Sequence, residues 1–356
     1  MNAQRPDLSD LNSDIRAYVE FLEAEVDRLR AQANLPGGAE PAEVDEMALA
    51  EPLEASEPPT TINIITISQA GAVKRTPRHL YNRQRRGGMG IFDIELRDDD
   101  APTALVSADE SQSLVLLTNR ARAFRLPVSA LPASPVRSRG QSLDGLLPLE
   151  ADERPAVFLP SHERGYLVVL TAKAWMRIAP AHLVGEKMQP GFTLYHADEF
   201  GAPVTACWTP GDSDLFIATR RGLALRFPEK QVPLTGALGI RLDAEHGDEA
   251  FALLSVRPES GVFLLGAEGR GTIRLMSGFN ANKAPGAGGK MAMKTERLIG
   301  ALVVKDTDDL FVISRLSKII RFKANEVPAK DGVVQGVNCM ALRADETVAV
   351  CASPTL

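Results

Sequence analysis

The chain has 356 residues, of which 44% are hydrophobic and 24% charged, and its formal net charge is −6. This composition is typical of a protein with a packed core, and the negative charge taken alone disfavours a nucleic-acid-binding protein. No apolar run reaches the length of a membrane helix, and the N-terminus lacks the pattern of a secretory signal. Three separated cysteines and five scattered histidines predict neither a disulfide framework nor a metal site. We therefore expect a cytoplasmic protein without a metal or cofactor.

The charge is distributed unevenly along the chain. Residues 1–60 carry 4 basic and 14 acidic side chains, a net charge of −10, whereas residues 61–356 carry 36 basic and 32 acidic side chains, a net charge of +4. The overall charge therefore averages two different segments.

Residues 1–34 are predicted to form an N-terminal amphipathic segment, with one helix over residues 8–34. Apolar residues from Leu11 to Ala33 recur mostly in steps of four and three, which places them on one helix face. About three heptads make a marginal helix in isolation, so this face requires a partner. It either forms a short coiled coil that makes a homodimer, or packs on its own domain or on another protein.

Residues 35–60 are rich in Pro, Glu and Ala and contain few large apolar residues. Such a segment buries too little apolar surface to offset the entropy of ordering, so it predicts a flexible acidic linker.

Residues 61–356 predict an all-β body built from six repeats. Each repeat has an apolar strand, a small polar turn and a second strand that ends near a repeated arginine; these are Arg75, Arg125, Arg177, Arg226, Arg274 and Arg321, spaced 47 to 52 residues apart. An upstream strand, as in 103–108, and a Gly-containing downstream strand, as in 145–150 or 236–242, complete each unit. Four short strands in about 50 residues predict a propeller blade. Six such blades can bury their apolar faces in one toroid.

The blades are expected at about 61–102, 103–155, 156–203, 204–249, 250–298 and 299–356.

Residues 71–90 form a candidate anion-binding segment. No acidic residue occurs in the sequence between Glu57 and Asp93. The segment contains six basic residues, namely Lys74, Arg75, Arg78, Arg83, Arg85 and Arg86. Unopposed positive charge attracts anions, arginine grips phosphate oxygens through paired hydrogen bonds, and nearby glycines allow the backbone to approach a phosphate closely. The alternative is a solvated basic hairpin with no ligand.

Residues 84–90 resemble the box motif of the DNA gyrase A C-terminal domain. The family motif is Gln-(Arg/Lys)-Arg-Gly-Gly-(Arg/Lys)-Gly, and this chain has Gln84, Arg85, Arg86, Gly87, Gly88, Met89 and Gly90. Six of the seven positions match, and the box stands in the first of six repeats, as in the family. The departure is Met89, which stands where the family has a basic residue.

The resemblance covers residues 61–356 and implies a six-bladed β-pinwheel, a relative of propellers in which neighbouring blades exchange strands. In the family, this domain wraps double-stranded DNA around a basic rim, and the box connects the first and last blades. The rim expected in this chain includes Lys74, Arg75, Arg78, Arg83 and the other repeated arginines, together with basic residues at the hairpin turns, namely Arg120, Arg122, Lys173, Arg220, Arg221, Arg270, Arg315 and Lys318. Such an array can follow a bent duplex without reading bases. The alternative for any repeated arginine is a structural bond to carbonyl groups between blades.

The resemblance also implies a role without catalysis. Gyrase and topoisomerase IV cleave DNA with a tyrosine that follows an arginine in a separate breakage–reunion domain, whereas the four tyrosines here, Tyr18, Tyr81, Tyr166 and Tyr195, follow Ala, Leu, Gly and Leu. No phosphate-binding P-loop motif occurs. The acidic run Asp98–Asp100 is expected to be a solvated loop, with metal binding as the alternative.

These observations predict a free-standing, nucleoid-associated bacterial protein that binds and bends duplex DNA. Its expected partner is a topoisomerase breakage–reunion subunit that lacks its own wrapping domain. The alternative is a protein-interaction propeller whose DNA binding has decayed, suggested by Met89 and by a body charge of only +4.

Overall fold

The computed structural model describes residues 57–354, which form strands joined by short turns. The predicted helix at 8–34 and all but four residues of the predicted linker lie outside the described residues. The strands in chain order are β1 (Ile62–Ser68), β2 (Ala72–Pro77), β3 (Ile91–Phe92), β4 (Ile94–Glu95), β5 (Pro102–Asp109), β6 (Ser113–Thr118), β7 (Arg122–Pro127), β8 (Ser138–Arg139), β9 (Gln141–Ser142), β10 (Pro155–Pro160), β11 (Tyr166–Thr171), β12 (Trp175–Pro180), β13 (Phe192–Thr193), β14 (Pro203–Thr209), β15 (Asp214–Thr219), β16 (Leu223–Pro228), β17 (Ala237–Leu238), β18 (Ala250–Val256), β19 (Gly261–Gly266), β20 (Arg270–Leu275), β21 (Lys290–Met291), β22 (Leu298–Val304), β23 (Asp309–Ser314), β24 (Lys318–Lys323), β25 (Ala329–Lys330), β26 (Val337–Asn338) and β27 (Thr347–Ser353).

Short helical turns follow the second strand of every hairpin. The 3₁₀ turns are Arg78–Leu80, Val128–Ala130, Ala181–Val184, Glu229–Gln231, Met276–Gly278 and Ala324–Glu326, with one more at Ala244–His246, and a single α-helical turn, α1, spans Ala197–Phe200. Four of these turns begin directly after a proline, namely Pro77, Pro127, Pro180 and Pro228. Proline lacks a backbone donor and ends strand pairing at that residue.

Six sheets, which we number blades I to VI, each contain an inner strand, a central hairpin and an outer strand. Their orders are β5-β1-β2-β9, β10-β6-β7-β13, β14-β11-β12-β17, β18-β15-β16-β21, β22-β19-β20-β25 with β26 also on β20, and β27-β23-β24-β3. The inner strands contact one another in cyclic order, and β27 contacts β5. The six blades therefore close into a ring, with the outer strands at its edge.

The outer strand of each blade comes from the chain segment that follows the next hairpin. Thus β9 lies beyond the hairpin of blade II but pairs with β2 of blade I. At the ring closure β3, which follows the first hairpin, pairs with β24 of blade VI, with Ile91 opposite Ile319 and Phe92 opposite Lys318. This exchange of strands confirms the predicted six-bladed β-pinwheel.

Three strand assignments made from the sequence are corrected by the structure. The upstream strand at 103–108 was expected to belong with the following hairpin, but it lies in β5 and pairs with β1 of the preceding one. The segment 145–150 contains no strand, and the segment 236–242 contributes only β17, which pairs with β12. Blades are therefore not consecutive stretches of the chain, because which hairpin a strand joins depends on contacts distant in sequence.

The core lies between neighbouring blades. The first strand of each hairpin is buried on both of its faces, as in β6 and β23, because another blade packs on each side. Leu170 of blade III, for example, shares an apolar cluster with Leu215 and Phe227 of blade IV. A strand that is buried on both faces reads as a continuous apolar run. Within residues 57–354, no helix has the length and apolarity needed to cross a membrane.

Candidate nucleic-acid interface

The box at residues 84–90 joins blade I to blade VI. The backbone N–H of Gln84 donates to the carbonyl oxygen of Arg321 at 2.8 Å, and that of Gly87 donates to the carbonyl oxygen of Cys339 at 2.8 Å. The guanidinium of Arg86 donates to two carbonyl oxygens of the last repeat, those of Glu326 at 2.8 Å and Asn338 at 3.1 Å. Arg86 is therefore occupied by ring closure, whereas the side chains of Arg85 and Met89 are exposed.

Gly90 is required at the end of the box by both its conformation and its surroundings. Its φ is +70°, and a Cβ added there would lie 2.6 Å from the carbonyl oxygen of Ile319. A glycine directly precedes a strand at the outer edge of every blade; the other five are Gly140, Gly191, Gly236, Gly289 and, before β26 of blade V, Gly336. Added Cβ atoms would also contact backbone at 2.8 Å beside Gly140 and 2.4 Å beside Gly336. The sequence predicts a Gly-containing strand after each hairpin, and the structure places the glycine directly before the exchanged outer strand.

Lys74 is not a surface residue. Its side chain is fully buried, and its ammonium donates to the Asp93 carboxylate at 2.6 Å and to the Asp93 carbonyl oxygen at 2.8 Å. The hydroxyls of Tyr81 and Thr66 donate to the same carboxylate at 2.6 and 2.7 Å. Burial and the Asp93 charge together raise the pKa of Tyr81 well above its usual range. Asp93 thus anchors the segment that follows β3 to blade I.

A second buried ionic cluster surrounds Arg321. Its guanidinium contacts Asp309 at 2.6 Å and Glu57 at 2.6 Å, and Glu57 also accepts a 2.7 Å bond from Arg78. Asp309 in addition pairs with Arg83 at 3.0 Å. Burial alone would raise the pKa of Asp309, but hydrogen bonds and charge from Arg83 and Arg321 outweigh it and lower that pKa. Arg78 and Arg83 therefore serve this cluster rather than the open edge of the ring.

Four of the six repeated arginines bond to carbonyl oxygens near the 3₁₀ turn of the next blade. The acceptors are Val184 at 3.0 Å for Arg125, Leu234 at 2.7 Å for Arg177, Met276 and Phe279 at 2.7 and 3.0 Å for Arg226, and Arg78 and Tyr81 at 3.3 and 2.9 Å for Arg321. These contacts support the structural alternative for these residues. Of the other two, Arg75 is buried and pairs with Glu110 at 3.0 Å, and Arg274 is also buried.

Most of the basic residues at the hairpin turns contact carboxylates or carbonyl groups. Arg120 and Arg122 pair with Glu150 or Glu153 at 2.6 to 2.8 Å, and Arg315 lies 3.7 Å from Glu346. Lys173, Arg220 and Arg221 donate to backbone carbonyl oxygens. For Arg270 and Lys318, residues 57–354 provide no ion-pair partner. The turns whose arginines pair with carboxylates therefore carry less net positive charge than their sequence suggests.

Exposed arginines are present on two neighbouring connectors at the outer edge. We call Arg85, Met89, Arg137 and Arg139 the box surface. Arg139 is 87% exposed, and its one ion-pair contact within the described chain is Glu95 at 3.5 Å. The Arg137 guanidinium lies 6.0 Å from the ring centroid of Phe92 in β3, which brings the two connectors into contact. Arg139 stands two residues before β9, just as Met89 stands two residues before β3. Blade I therefore has a basic residue at the position that Met89 occupies in the box.

Arg137 and Arg139 were missed by sequence analysis, although the signal used for residues 71–90 would have found them. Residues 111–143 contain five arginines and no acid, and residues 269–295 contain five basic residues and no acid. Both windows end in a connector that carries an outer strand to the preceding blade.

The acidic run at 98–100 behaves as a loop in the described chain. Asp100 accepts bonds from the Ser68 hydroxyl at 2.7 Å and from the backbone N–H of Ala70 at 3.0 Å, so it holds the adjacent turn. No group of three or more His, Cys, Asp or Glu side chains within residues 57–354 is arranged to hold a metal ion.

Comparison with known proteins agrees with the box and with the ring. The family model for the DNA gyrase C-terminal domain, a β-propeller, matches residues 63–103, 112–152, 213–243 and 308–352. A solved structure of the DNA gyrase A C-terminal domain superposes with a TM-score of 0.69 at 19% identity, covering 82% of this chain and 99% of that one. The repeat body has the fold of the DNA gyrase A C-terminal domain. The resemblance inferred from the box is thereby confirmed.

Two DNA gyrase A proteins and a second solved structure are also similar to this chain. The chain is 29% identical over 299 residues to the DNA gyrase A protein of Kosmotoga olearia, covering 80% of this chain and 37% of the relative. It is 28% identical over 306 residues to the DNA gyrase A protein of Escherichia coli K12, covering 80% and 34%. The C-terminal domain of DNA topoisomerase IV superposes with a TM-score of 0.57 at 20% identity, covering 83% of this chain and 94% of that one. The chain thus spans about a third of the length of the curated gyrase A proteins it matches.

Proposed function

We propose that this protein binds double-stranded DNA without cutting it and bends or wraps the duplex along the edge of the ring. The observation that carries the proposal is the box surface. Its three arginines are exposed on adjacent connectors, and neither residues 82–92 nor residues 131–142 contain an acid. Such a surface suits the phosphate backbone, whose recognition requires positive charge but no base contacts.

The convex edge of the ring favours a bent duplex. Bending 20–30 base pairs costs about 1 to 6 kcal/mol, and each additional phosphate contact along the bend offsets part of that cost. Since the box surface spans the outer strands of blades VI and I, a duplex that follows it contacts more than one blade. Arg86 supports this surface by closing the ring, and four repeated arginines join neighbouring blades, namely Arg125, Arg177, Arg226 and Arg321.

The proposed partner is the breakage–reunion subunit of a bacterial type IIA topoisomerase, for which this protein acts as a nucleoid-associated, cytoplasmic accessory. The support is the relationship to gyrase A. In this proposal cleavage and ATP hydrolysis belong to the partner enzyme, and this chain contributes DNA geometry.

Fluorescence anisotropy with a labelled duplex of about 40 base pairs tests the proposal at several salt concentrations. We expect log affinity to fall linearly with log salt, and the double variant Arg85→Ala, Arg139→Ala to reduce that slope by about 1.8, since each neutralised phosphate contributes about 0.9. The matched control Arg154→Ala, Arg164→Ala removes two exposed charges elsewhere. Binding that ignores salt, or equal loss in both double variants, would overturn the proposal.

A second candidate function is recognition of a protein by the ring edge. It is favoured by exposed apolar side chains at the outer strands of blades II and III, where Leu234 is 62%, Leu238 46% and Phe192 38% exposed. Exposed apolar residues that cluster mark interaction surfaces. This function predicts DNA affinity at background, and partner binding that is lost in Leu234→Ser, Leu238→Ser but retained in Arg85→Ala, Arg139→Ala.

A further inference from the structure

Glu57 bridges the two blades that meet where the ring closes, a junction that we call the VI–I seam. One oxygen of its carboxylate accepts from Nε of Arg78 at 2.7 Å, and the other accepts from Nη2 of Arg321 at 2.6 Å. Arg78 opens the 3₁₀ turn that follows β2 of blade I, whereas Arg321 lies in β24 of blade VI. A single carboxylate therefore holds both sides of the VI–I seam.

Arg78 is a feature of this seam alone among the turns that follow a hairpin. The first residues of the other five turns are Val128, Ala181, Glu229, Met276 and Ala324. Arg78 is 1% exposed, and its guanidinium also donates to the Ser353 hydroxyl at 3.0 Å and to the Pro354 carbonyl oxygen, at the end of β27 in blade VI. A buried guanidinium requires an anion to offset its desolvation. Within residues 57–354, the carboxylate that pairs with Arg78 is that of Glu57.

Arg321 has a second carboxylate partner in addition to the one that its counterpart in blade IV has. That counterpart, Arg226, pairs with Asp214 of its own blade at 2.7 Å. Arg321 pairs in the same way with Asp309 of its own blade and also with Glu57. Burial by itself would raise the pKa of Glu57, but hydrogen bonds and charge from its two arginine partners lower that pKa. The geometry and the charges therefore describe a site that is built for a carboxylate.

Glu57 is joined to blade I by a short and stiff piece of chain. The two residues that follow it are prolines, whose φ is fixed. The backbone N–H of Thr60 then donates to Nδ1 of His79 at 3.3 Å, and β1 begins at Ile62. The Glu57 side chain is 18% exposed, so solutes can reach the site. Glu57 is thus a tethered ligand that stands where residues 1–56 enter the ring.

We propose that Arg78 and Arg321 form a carboxylate-binding site in the VI–I seam, that Glu57 is its tethered ligand, and that occupancy of this site controls closure of the ring. With the carboxylate bound, both guanidinium groups are neutralised and the two blades are held together. When the site is empty, two buried positive charges face each other across the seam without their shared counter-ion. The seam then opens more often, although the other blades remain folded.

The site also affects the box surface, because the arginines of that surface lie on both sides of the seam. Arg85 precedes β3, which pairs with β24 of blade VI, and Arg139 precedes β9, which pairs with β2 of blade I. Opening the seam moves these two side chains apart. This consequence rests on the proposed function, whereas the carboxylate site itself does not.

Amide hydrogen exchange on the full chain tests the site. The reporters at the closure are the N–H groups of Gln84 and Asp93, which donate to carbonyl oxygens of blade VI at 2.8 Å. The reference amides are those of Gly191 and Gly239, beside the outer strands of blades II and III. In Glu57→Ala we expect about 10- to 100-fold faster exchange at the two reporters, because a hydrogen bond to a charged group is lost. The reference amides should exchange as in the unmodified protein.

Two comparisons distinguish an empty carboxylate site from general destabilisation. The matched control is Glu110→Ala, which removes a carboxylate that pairs with Arg75 at 3.0 Å within blade I and should leave all four amides unchanged. Sodium acetate should restore slow exchange in Glu57→Ala in a saturable manner, whereas sodium chloride at the same ionic strength should not. Glu57→Gln fills the site without a charge, so acetate should not restore it. Unchanged exchange in Glu57→Ala, or equal recovery in chloride and acetate, would overturn the inference.

Anisotropy with a labelled duplex separates the site from the proposed function. Glu57→Ala and Glu110→Ala each remove one negative charge, so electrostatics alone would tighten DNA binding in both. Opening of the seam predicts weaker binding in Glu57→Ala only. If the exchange results are as expected but the unmodified protein does not bind DNA, the proposed function fails and the carboxylate site stands. If both variants bind DNA more tightly, the effect of the seam on the box surface is wrong.

Discussion

Replacing Gly90 with Ala tests whether the end of the box closes the ring. The φ of +70° costs an L-residue about 1 to 2 kcal/mol. The new Cβ would lie 2.6 Å from the carbonyl oxygen and 2.9 Å from the carbonyl carbon of Ile319, so the backbone of β3 or β24 must move. Overpacking of this kind costs about 1 to 3 kcal/mol. We therefore expect Gly90→Ala to lower the free energy of unfolding by about 2 to 5 kcal/mol.

Gly71 provides a matched control for the conformational part of that cost. Its φ is +85°, and a Cβ added there would have no heavy atom within 4 Å. Gly71→Ala should therefore lose only about 1 to 2 kcal/mol. The difference between the two variants isolates the contact between the box and blade VI.

Urea unfolding followed by circular dichroism measures both variants. Amide hydrogen exchange supplies a second readout, because the Asp93 N–H donates to the Ser317 carbonyl oxygen at 2.8 Å across the same closure. Faster exchange at Asp93 in Gly90→Ala, but not in Gly71→Ala, would locate the opening. Equal loss of stability in the two variants would refute the reasoning that the box glycine is required by its neighbours.

Three further predictions concern the ionic cluster, the box surface and the repeated arginines. Asp309→Asn should cost about 3 kcal/mol at neutral pH, and this difference should shrink during urea unfolding at progressively lower pH. The reason is that the pKa of Asp309 is lower in the folded protein than in the unfolded chain. Its ionised carboxylate therefore stabilises the fold above the unfolded pKa, and this stabilisation is lost as the pH falls through the folded pKa. Met89→Arg should tighten DNA binding and steepen the salt slope by about 0.9 in anisotropy titrations, whereas Leu316→Arg, at an exposed hairpin turn, should not. Arg226→Ala should lower stability by about 3 kcal/mol in urea unfolding, whereas the exposed Arg270→Ala should change it by less than about 0.5 kcal/mol.

Each of these expectations has a contradicting outcome. A constant difference between Asp309→Asn and the unmodified protein down to about pH 2 would show that this carboxyl does not titrate with a lowered pKa. Equal gains in affinity from Met89→Arg and Leu316→Arg would indicate that any added charge suffices, irrespective of place. A neutral Arg226→Ala would mean that its bonds to Met276 and Phe279 contribute nothing measurable.

The overall architecture could be inferred from the sequence because its signals are local and repeated. Apolar hairpins recur at intervals of about 50 residues, and such units bury their faces only against one another. The box identified the first repeat and the family. The pairing of each outer or inner strand with a hairpin depends on contacts between residues distant in sequence. For that reason the sequence assigns the strand at 103–108 to the wrong hairpin.

The binding surface was harder to infer, because a basic residue looks the same in sequence whether it is buried or exposed. Lys74 and Arg78 belong to the same positive run as Arg85, but Asp93 and Glu57 hold the first two inside the fold. Conversely, Arg137 carries no motif of its own, and only its place before an exchanged outer strand brings it against Phe92, which follows the box.

The sequence by itself determined the six repeats, the box and the division between an acidic N-terminal segment and a net-positive body, since each depends on residue type and spacing along the chain. The tertiary structure decided which positive charges remain available to a ligand. The physical reason is that a charge is neutralised or exposed by neighbours that are distant in sequence, as Asp309 of blade VI neutralises Arg83. The strand exchange that closes the ring also distributes the remaining basic residues along its edge.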